Sequence, residues 1–136
     1  MTVLDSLPQV EEQVVVCLED DRDLARLIQI TLRPWTESFH VAYDGIHGLD
    51  LIQQQRPSLI LLDLNLPGMN GLEVYDALQA DPNLSSIPVV MLSANQRDMA
   101  AQRSRRTLDG VVAYIVKPFT LIELRDTLRP YLDLNP

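Results

Sequence analysis

The chain has 136 residues and 46% of them are hydrophobic, which is enough for one domain of ordinary size with its own core. Its 19 acidic and 11 basic residues give a net charge of −8, which argues against a surface that binds nucleic acid directly. No apolar run approaches the ~20 residues that cross a bilayer, and the N-terminus does not resemble a signal peptide. The single cysteine, Cys17, fits a reducing compartment, so we expect a cytoplasmic protein with no membrane contact.

Residues 1–12 show no clear periodicity, and we expect them to form a flexible N-terminal tail. The folded domain is expected over residues 13–133, and residues 134–136 form a short C-terminal tail. The domain begins with a β-branched apolar run at residues 13–18, which predicts the first strand. Cys17 lies within this run, so we interpret it as a small buried core residue.

The first helix follows an acidic segment. Asp21 or Asp23 can cap its N-terminus, and we interpret Asp21 as a cap in preference to a metal ligand. Pro34 ends the helix, because the residue before a proline disfavours helical geometry. The residues expected on its buried face recur at helical spacing: Leu24, Leu27, Ile28 and Thr31.

The rest of the chain alternates between short apolar runs and amphipathic segments. Further strands are predicted over residues 39–43, 59–64, 87–92 and 111–116. Further helices are predicted over residues 46–55, 72–80, 97–108 and 120–129. Five alternations of this kind imply right-handed crossovers between parallel strands. The predicted fold is a doubly wound α/β domain with a five-stranded parallel sheet and helices on both faces.

Polar residues follow four of the five predicted strands. Asp63 lies near the end of an apolar run, and Glu19, Asp20 and Asp21 follow the first strand. Ser93 follows the fourth strand and Lys117 follows the fifth. In open α/β sheets, ligands bind outside the carboxyl ends of the strands. If these strands are neighbours in the sheet, the carboxylates, the hydroxyl and the ammonium group converge at one edge.

This set of groups is suited to phosphoryl transfer. Several carboxylates close together repel one another unless a cation compensates them, and Mg²⁺ prefers oxygen ligands of this kind. A carboxylate can also act as a nucleophile and form an acyl phosphate. Asp63 is the candidate nucleophile, while Mg²⁺, Lys117 and the Ser93 hydroxyl would contact the phosphoryl oxygens.

Four segments in this order, residues 14–21, 61–71, 89–94 and 114–119, are similar to the receiver domain of bacterial two-component response regulators. The resemblance covers about residues 13–132 and is closest to single-domain regulators of the chemotaxis type. It implies a flavodoxin-like strand order of 2-1-3-4-5. It also implies that Asp63 accepts a phosphoryl group from a sensor histidine kinase or a histidine phosphotransfer protein.

The resemblance assigns further roles to residues around Asp63. Glu19 and Asp20 match the acidic pair of the Mg²⁺ site, with Asp20 the more direct ligand. Asn65 would supply a backbone carbonyl to the metal. Lys117 would bind a phosphoryl oxygen, and the Lys117–Pro118 peptide is expected to be cis.

The resemblance also implies a conformational switch. Ser93 matches the hydroxyl that moves toward the phosphoryl group, and Tyr114 matches the aromatic residue that turns inward with it. The movement of these two residues would alter a surface formed by the fourth predicted helix, the fifth strand and the fifth predicted helix. Such a surface could dock a downstream protein, an output domain outside this chain, or a second copy of the chain.

Two groups of residues have no role in that scheme. Arg103, Arg105 and Arg106 form a basic patch in the fourth predicted helix, where a solvated face is the simplest interpretation and partner docking the alternative. His40 and His47 show no cysteine or acidic neighbour at ligand spacing, so surface or packing roles are expected.

Two other classes of protein compete with a phosphorylated switch. One is a pseudo-receiver that acts as a constitutive interaction module, which would require an incomplete site. The other is a hydrolase that forms an aspartyl phosphate, a class that usually has a second acid two residues after the nucleophile. That position is occupied by Asn65, an amide that is not a general acid.

Overall fold

The structure is a computed structural model that describes residues 13–94 and 108–132. Its strands are β1 (Val14–Leu18), β2 (Ser38–Ala42), β3 (Leu59–Asp63), β4 (Val89–Ser93) and β5 (Val111–Val116). The helices in the described ranges are α1 (Arg22–Leu32), α2 (Gly45–Gln55), α3 (Gly71–Ala80) and α4 (Leu121–Leu128). The C-terminal helix α4 corresponds to the fifth helix of the sequence prediction.

The five strands form one parallel sheet in the order β2-β1-β3-β4-β5. Side chains alternate between the two faces of each strand, so Val16 packs in one core cluster and Val15 in the other. The first cluster includes Ile52 of α2, and the second includes Ile28 of α1 and Leu124 of α4. Helices therefore cover both faces, and the predicted fold class and strand order are confirmed.

Side-chain caps fix where the helices begin. The Asp21 carboxylate accepts hydrogen bonds from the backbone N–H groups of Asp23 and Leu24, both at 3.1 Å. Asp21 is therefore the N-cap of α1, as interpreted from the sequence. Asn70 and Glu73 form a capping box at the start of α3, where each side chain accepts the backbone N–H of the other.

The buried face of α1 agrees with the prediction except at Leu27. Ala25, Ile28 and Leu32 are buried, whereas Leu27 is 48% exposed. Of the predicted residues, Ile28 is buried and Leu24 and Thr31 are half-buried, so the prediction fails at Leu27 alone. Apolar residues occupy more than half of this helix, and their spacing alone does not define the centre of the stripe. The face that meets the sheet is the one with the smallest side chain, Ala25, which lets the helix approach closely.

The remaining differences concern element boundaries and coverage. Strand β4 was predicted to end at residue 92 but includes Ser93, which places the hydroxyl inside the sheet edge. The helix predicted over residues 97–108, with Arg103, Arg105 and Arg106, falls almost wholly outside the described residues. Among the helices that are described, none has the length and hydropathy to cross a membrane.

Candidate functional site

The carboxyl ends of β1, β3, β4 and β5 bring four polar side chains to one edge of the sheet. Asp63 and Ser93 are the last residues of β3 and β4. Glu19 follows β1, and its backbone N–H donates to the carbonyl of Ala42 at 3.1 Å. Lys117 follows β5, and its backbone N–H donates to the carbonyl of Ser93 at 2.7 Å. These backbone hydrogen bonds extend the sheet by one residue, so the site is built on its rigid edge.

Lys117 joins two buried carboxylates. Its Nζ donates to Oε1 and Oε2 of Glu19 at 2.7 and 2.8 Å, and to Oδ2 of Asp63 at 2.9 Å. The Glu19 and Asp63 side chains are 0% and 3% exposed, whereas that of Lys117 is 18% exposed. A single ammonium group therefore compensates two carboxylates in a poorly solvated position.

The second oxygen of Asp63 is also held. Its Oδ1 accepts the backbone N–H of Asn65 at 2.9 Å. Because Lys117 contacts Oδ2 and Asn65 contacts Oδ1, the plane of the carboxylate is fixed. From the sequence, only the backbone carbonyl of Asn65 was expected to contribute to the site. The role of the Asn65 N–H could not be predicted from the sequence, because every residue except proline has a backbone N–H.

The three acidic residues Glu19, Asp20 and Asp63 can hold a metal ion. Each offers a carboxylate oxygen, and these oxygens lie within 4.8 Å of one another. Asp20 is exposed whereas the other two are buried, so the cluster has one open side. An all-oxygen set of carboxylates fits a hard divalent cation such as Mg²⁺ or Mn²⁺.

Burial sets the protonation of these groups. Burial raises the pKa of Glu19 to about 7, and the neighbouring Asp63 side chain adds to the effect while Lys117 opposes it. Burial by itself lowers the pKa of Lys117, but hydrogen bonds and charge attraction to Glu19 and Asp63 outweigh it, so the pKa is raised. Lys117 therefore stays an ammonium group at neutral pH. Burial also raises the pKa of the Cys17 thiol, in agreement with an unreactive core residue.

Ser93 lies on β4, the strand next to that of Asp63, and Tyr114 lies on β5, one strand further toward the edge. Ser93 is fully buried, in register with Val116 of β5. Tyr114 is half-buried and packs against the core cluster on the α2 and α3 face of the sheet. Both positions are those that the sequence analysis gave to the switch pair, and their movement remains a prediction.

A cavity of about 540 Å³ opens beside Lys117. Leu24 and Leu27 of α1 line one wall, and Pro118 and Phe119 line the other. Leu27 was predicted to be a core residue, and its exposure is explained by this position on the cavity wall. The cavity gives a partly apolar approach to the site from the side of α1.

Both histidines lie away from this site. His47 is exposed, and its Nδ1 is 2.6 Å from Oδ2 of Asp44, the N-cap of α2. His47 is therefore a surface residue, as expected, and its contact with Asp44 arises because residues three apart meet at the start of a helix. His40 is half-buried on β2, and its Nε2 is 3.2 Å from the Ser38 hydroxyl.

The parallel sheet, the buried Asp63 and its contacts with Lys117 define an α/β domain with a candidate acceptor carboxylate. The chain matches the model of the response regulator receiver domain over residues 15–129 and belongs to this family. Receiver domains are signalling switches of two-component phosphorelays. They are not enzymes in the usual sense.

Relatives and solved structures agree with this assignment. The chain is 37% identical over 123 residues to the DNA-binding response regulator MtrA of Mycobacterium tuberculosis. This alignment covers 90% of this chain and 52% of MtrA. It therefore spans about half the length of that relative. The Mn²⁺-bound form of response regulator Rcp1 is 30% identical, with a TM-score of 0.72 over 91% of this chain and 97% of that one.

A third comparison concerns a metal site. The receiver domain of the sensor histidine kinase PA1611 of Pseudomonas aeruginosa was solved with a magnesium ion in its active-site cleft. It is 26% identical to this chain and has a TM-score of 0.75, covering 89% of this chain and 98% of that one. Both of these solved structures hold a divalent metal ion.

Proposed function

We propose that this domain accepts a phosphoryl group on Asp63 from the phosphohistidine of a sensor histidine kinase or a histidine phosphotransfer protein. The observation that supports this proposal best is the geometry of the Asp63 carboxylate. One oxygen is held by the Asn65 N–H and the other by the Lys117 ammonium, within a cluster of acidic residues. A carboxylate that is fixed in this way is oriented for in-line attack.

In the proposed reaction, a carboxylate oxygen of Asp63 attacks the phosphorus atom of the phosphohistidine. The P–N bond breaks, its electron pair goes to the imidazole nitrogen, and an acyl phosphate forms on Asp63. The imidazole then takes up a proton. Lys117 can compensate charge on the phosphoryl oxygens, because its raised pKa keeps it protonated. The Ser93 hydroxyl would donate to another of these oxygens.

The residues that would hold Mg²⁺ are Glu19, Asp20, Asp63 and the backbone carbonyl of Asn65. The carboxylate oxygens of the first three lie close enough to share one ion. Mg²⁺, when bound, would supply positive charge beside the acidic cluster and the incoming phosphoryl group. Lys117 already contacts Glu19 and Asp63, so the lysine and the metal would share the task of compensating these carboxylates.

The output of the switch is a docking surface. Movement of Ser93 and Tyr114 would alter β5, α4 and the helix predicted over residues 97–108. In the described part of this surface, Val112 and Val116 of β5 and Ile122 of α4 are exposed apolar residues. They could contact a downstream protein, an output domain outside this chain, or a second copy in a homodimer. We place the protein in the cytoplasm, where sensor kinases present their phosphohistidine.

The test is intact mass after incubation with acetyl phosphate, with Mg²⁺ and with EDTA. We expect a Mg²⁺-dependent gain of one phosphoryl group that is lost in Asp63→Asn. A matched control is Asp50→Asn, because Asp50 is exposed on α2 and accepts a hydrogen bond from Gln54 of the same helix. Retained uptake in Asp63→Asn would refute the assignment, and no uptake in the unaltered chain would favour the pseudo-receiver alternative.

A further inference from the structure

A groove runs along the outer edge of the sheet, between α1 and the edge strand β2. It consists of two cavities, of about 270 and about 240 Å³, which share Gln29 on their walls. Val41 and Tyr43 line the first cavity and Phe39 lines the second. This groove lies on a different side of α1 from the cavity beside Lys117, and neither the acceptor site nor the β5 and α4 surface includes it.

One wall of the groove is basic. Arg22 and Arg26 of α1 line it together with Arg33, which directly follows α1, and all three are exposed. None of them forms an ion pair with a carboxylate among residues 13–94 and 108–132. The Arg22 guanidinium instead stacks on the Tyr43 ring, 3.9 Å from its centroid. The acidic residues on the rim are Asp23 and Glu37. A row of three arginines on a chain of net charge −8 is a local reversal of charge.

The other wall is the edge of a sheet. Strand β2 lies at the end of the strand order and pairs with β1 alone among the described strands. A strand with one neighbour keeps a row of backbone N–H and C=O groups on its outer side. Neither Pro nor Lys, the residues that commonly block such edges, occurs in Ser38–Ala42.

We propose that this groove binds an acidic, extended segment of a partner protein, which adds to the outer edge of β2 as a further strand. The spacing of residues along the helix and along a strand supports this proposal. Arg22 and Arg26 are four residues apart on α1, so they are separated by about 6 Å along the helix. Every second residue of a strand is separated by about 6.6 Å. Two acidic residues at alternate positions of the added strand can therefore face Arg22 and Arg26.

A polypeptide fits the groove better than a nucleic acid does. Only a peptide backbone can satisfy the donors and acceptors at the edge of β2 while its side chains reach the arginines. A nucleic acid would use the arginines alone, and the net charge of −8 would oppose its approach. The proposal does not depend on phosphorylation of Asp63, so each can be tested without the other.

The probe is a fluorescein-labelled peptide of eight residues in which Glu and Val alternate, with binding followed by fluorescence anisotropy. We expect binding that weakens as salt is added. Arg26→Gln and Arg33→Gln should each weaken it by about tenfold, the loss of a charge-assisted contact. The matched control is Arg129→Gln, which removes an exposed arginine of the same charge from the far end of α4. Asp63→Asn should bind like the unaltered protein.

Two further probes separate strand addition from simple charge attraction. A peptide of the same sequence with N-methyl groups at alternate backbone nitrogens keeps its charges but cannot complete a ladder, so it should bind at least about tenfold more weakly. A DNA duplex of similar charge should not compete. Equal binding of the methylated peptide, equal loss in Arg129→Gln, competition by DNA, or no binding of the Glu and Val peptide would each overturn the proposal. Circular dichroism of each variant confirms that it is folded.

Discussion

Gly71 lies so close to the carbonyl oxygen of Asp63 that a Cβ atom on Gly71 would stand 2.3 Å from it. The same Cβ would be 2.7 Å from the Cα of Leu64, and the Gly71 N–H donates to the Leu64 carbonyl at 3.1 Å. The first residue of α3 therefore supports the backbone of Asp63, the proposed acceptor, directly. Since the atoms in contact belong to the backbone, they cannot rotate away as a side chain would.

Gly71→Ala should therefore impair phosphoryl transfer more than it impairs folding. The added methyl group must displace the Asp63 and Leu64 backbone, at a cost of about 1–3 kcal/mol in the free energy of unfolding. The displacement moves the Asp63 carboxylate from the Asn65 N–H and Lys117. We expect at least about a hundredfold loss in the rate of phosphoryl uptake, since a misplacement of about 1 Å can have this effect. The rate of phosphoryl uptake is measured by intact mass at successive times with acetyl phosphate, and the free energy of unfolding is measured by urea unfolding.

The control is Gly68→Ala in the same loop. Gly68 has a φ of +74°, so alanine is strained there, but its Cβ would approach nothing nearer than 3.7 Å. We expect a loss of about 1 kcal/mol in stability with little change in the rate of uptake. Equal loss of uptake in the two variants would show that the contact with Asp63 is not the cause.

Lys117→Met should destabilise the metal-free protein. The variant leaves Glu19 and Asp63 buried together with no ammonium between them. We expect a loss of about 1–3 kcal/mol, less than for a fully buried ion pair, because Glu19 can take up a proton near neutral pH. Added Mg²⁺ should recover part of the loss, since it compensates the same carboxylates. Urea unfolding with Mg²⁺ and with EDTA measures both effects.

Arg129→Met serves as the comparison for a surface charge. Arg129 forms an exposed ion pair with Asp126 at 3.7 Å, with side chains 55% and 66% exposed. Such pairs contribute about 0–1 kcal/mol. If Lys117→Met were no more destabilising than Arg129→Met in EDTA, the lysine would not be the counter-charge of the buried carboxylates.

The positions of Glu19, Asp63, Ser93 and Lys117 could be predicted because each follows or ends an apolar run. In a parallel sheet, all such ends lie at the same edge, so the sequence order of the runs is enough to bring these residues together. The same holds for the cap of α1, since the Asp21 carboxylate needs only local backbone N–H groups.

Other features depend on distances that a residue pattern does not contain. Lys117 contacts both carboxylate oxygens of Glu19 but only Oδ2 of Asp63. This difference depends on the positions of the side chains in space, which the sequence does not show. The exposure of Leu27 follows from which side of α1 meets the sheet. The role of Gly71 follows from the close approach of α3 to the end of β3.

Asp20→Asn should reduce Mg²⁺ binding, whereas Asp21→Asn should not. Asp20 is the exposed member of the acidic cluster, while the Asp21 carboxylate is engaged as the cap of α1. Mg²⁺ at about 100 times its Kd should stabilise the unaltered protein by about 2.7 kcal/mol. We expect Asp20→Asn to lose most of this increment and Asp21→Asn to keep it, since an amide oxygen can also cap a helix. Urea unfolding at a series of Mg²⁺ concentrations tests this, and equal increments in the two variants would contradict it.

Asp44→Asn should lower stability near neutral pH but not in acid. The Asp44 side chain accepts the backbone N–H of His47 at 2.8 Å and contacts its imidazole, and these hydrogen bonds lower the pKa of Asp44. A carboxyl group whose pKa is lower in the folded state stabilises the fold above its unfolded pKa of about 3.9. This contribution is lost as the pH falls through the folded value.

The difference in thermal midpoint between Asp44→Asn and the unaltered protein should therefore be present at pH 6 and diminish below about pH 3.9. Asparagine keeps an oxygen for the His47 N–H, so the comparison isolates the charge from the cap. Asp50→Asn removes an exposed carboxylate from the same helix, where the partner is the neutral amide of Gln54, and should show a smaller pH dependence. A constant difference from pH 6 to pH 3 would mean that the ionised form of Asp44 contributes nothing to the start of α2.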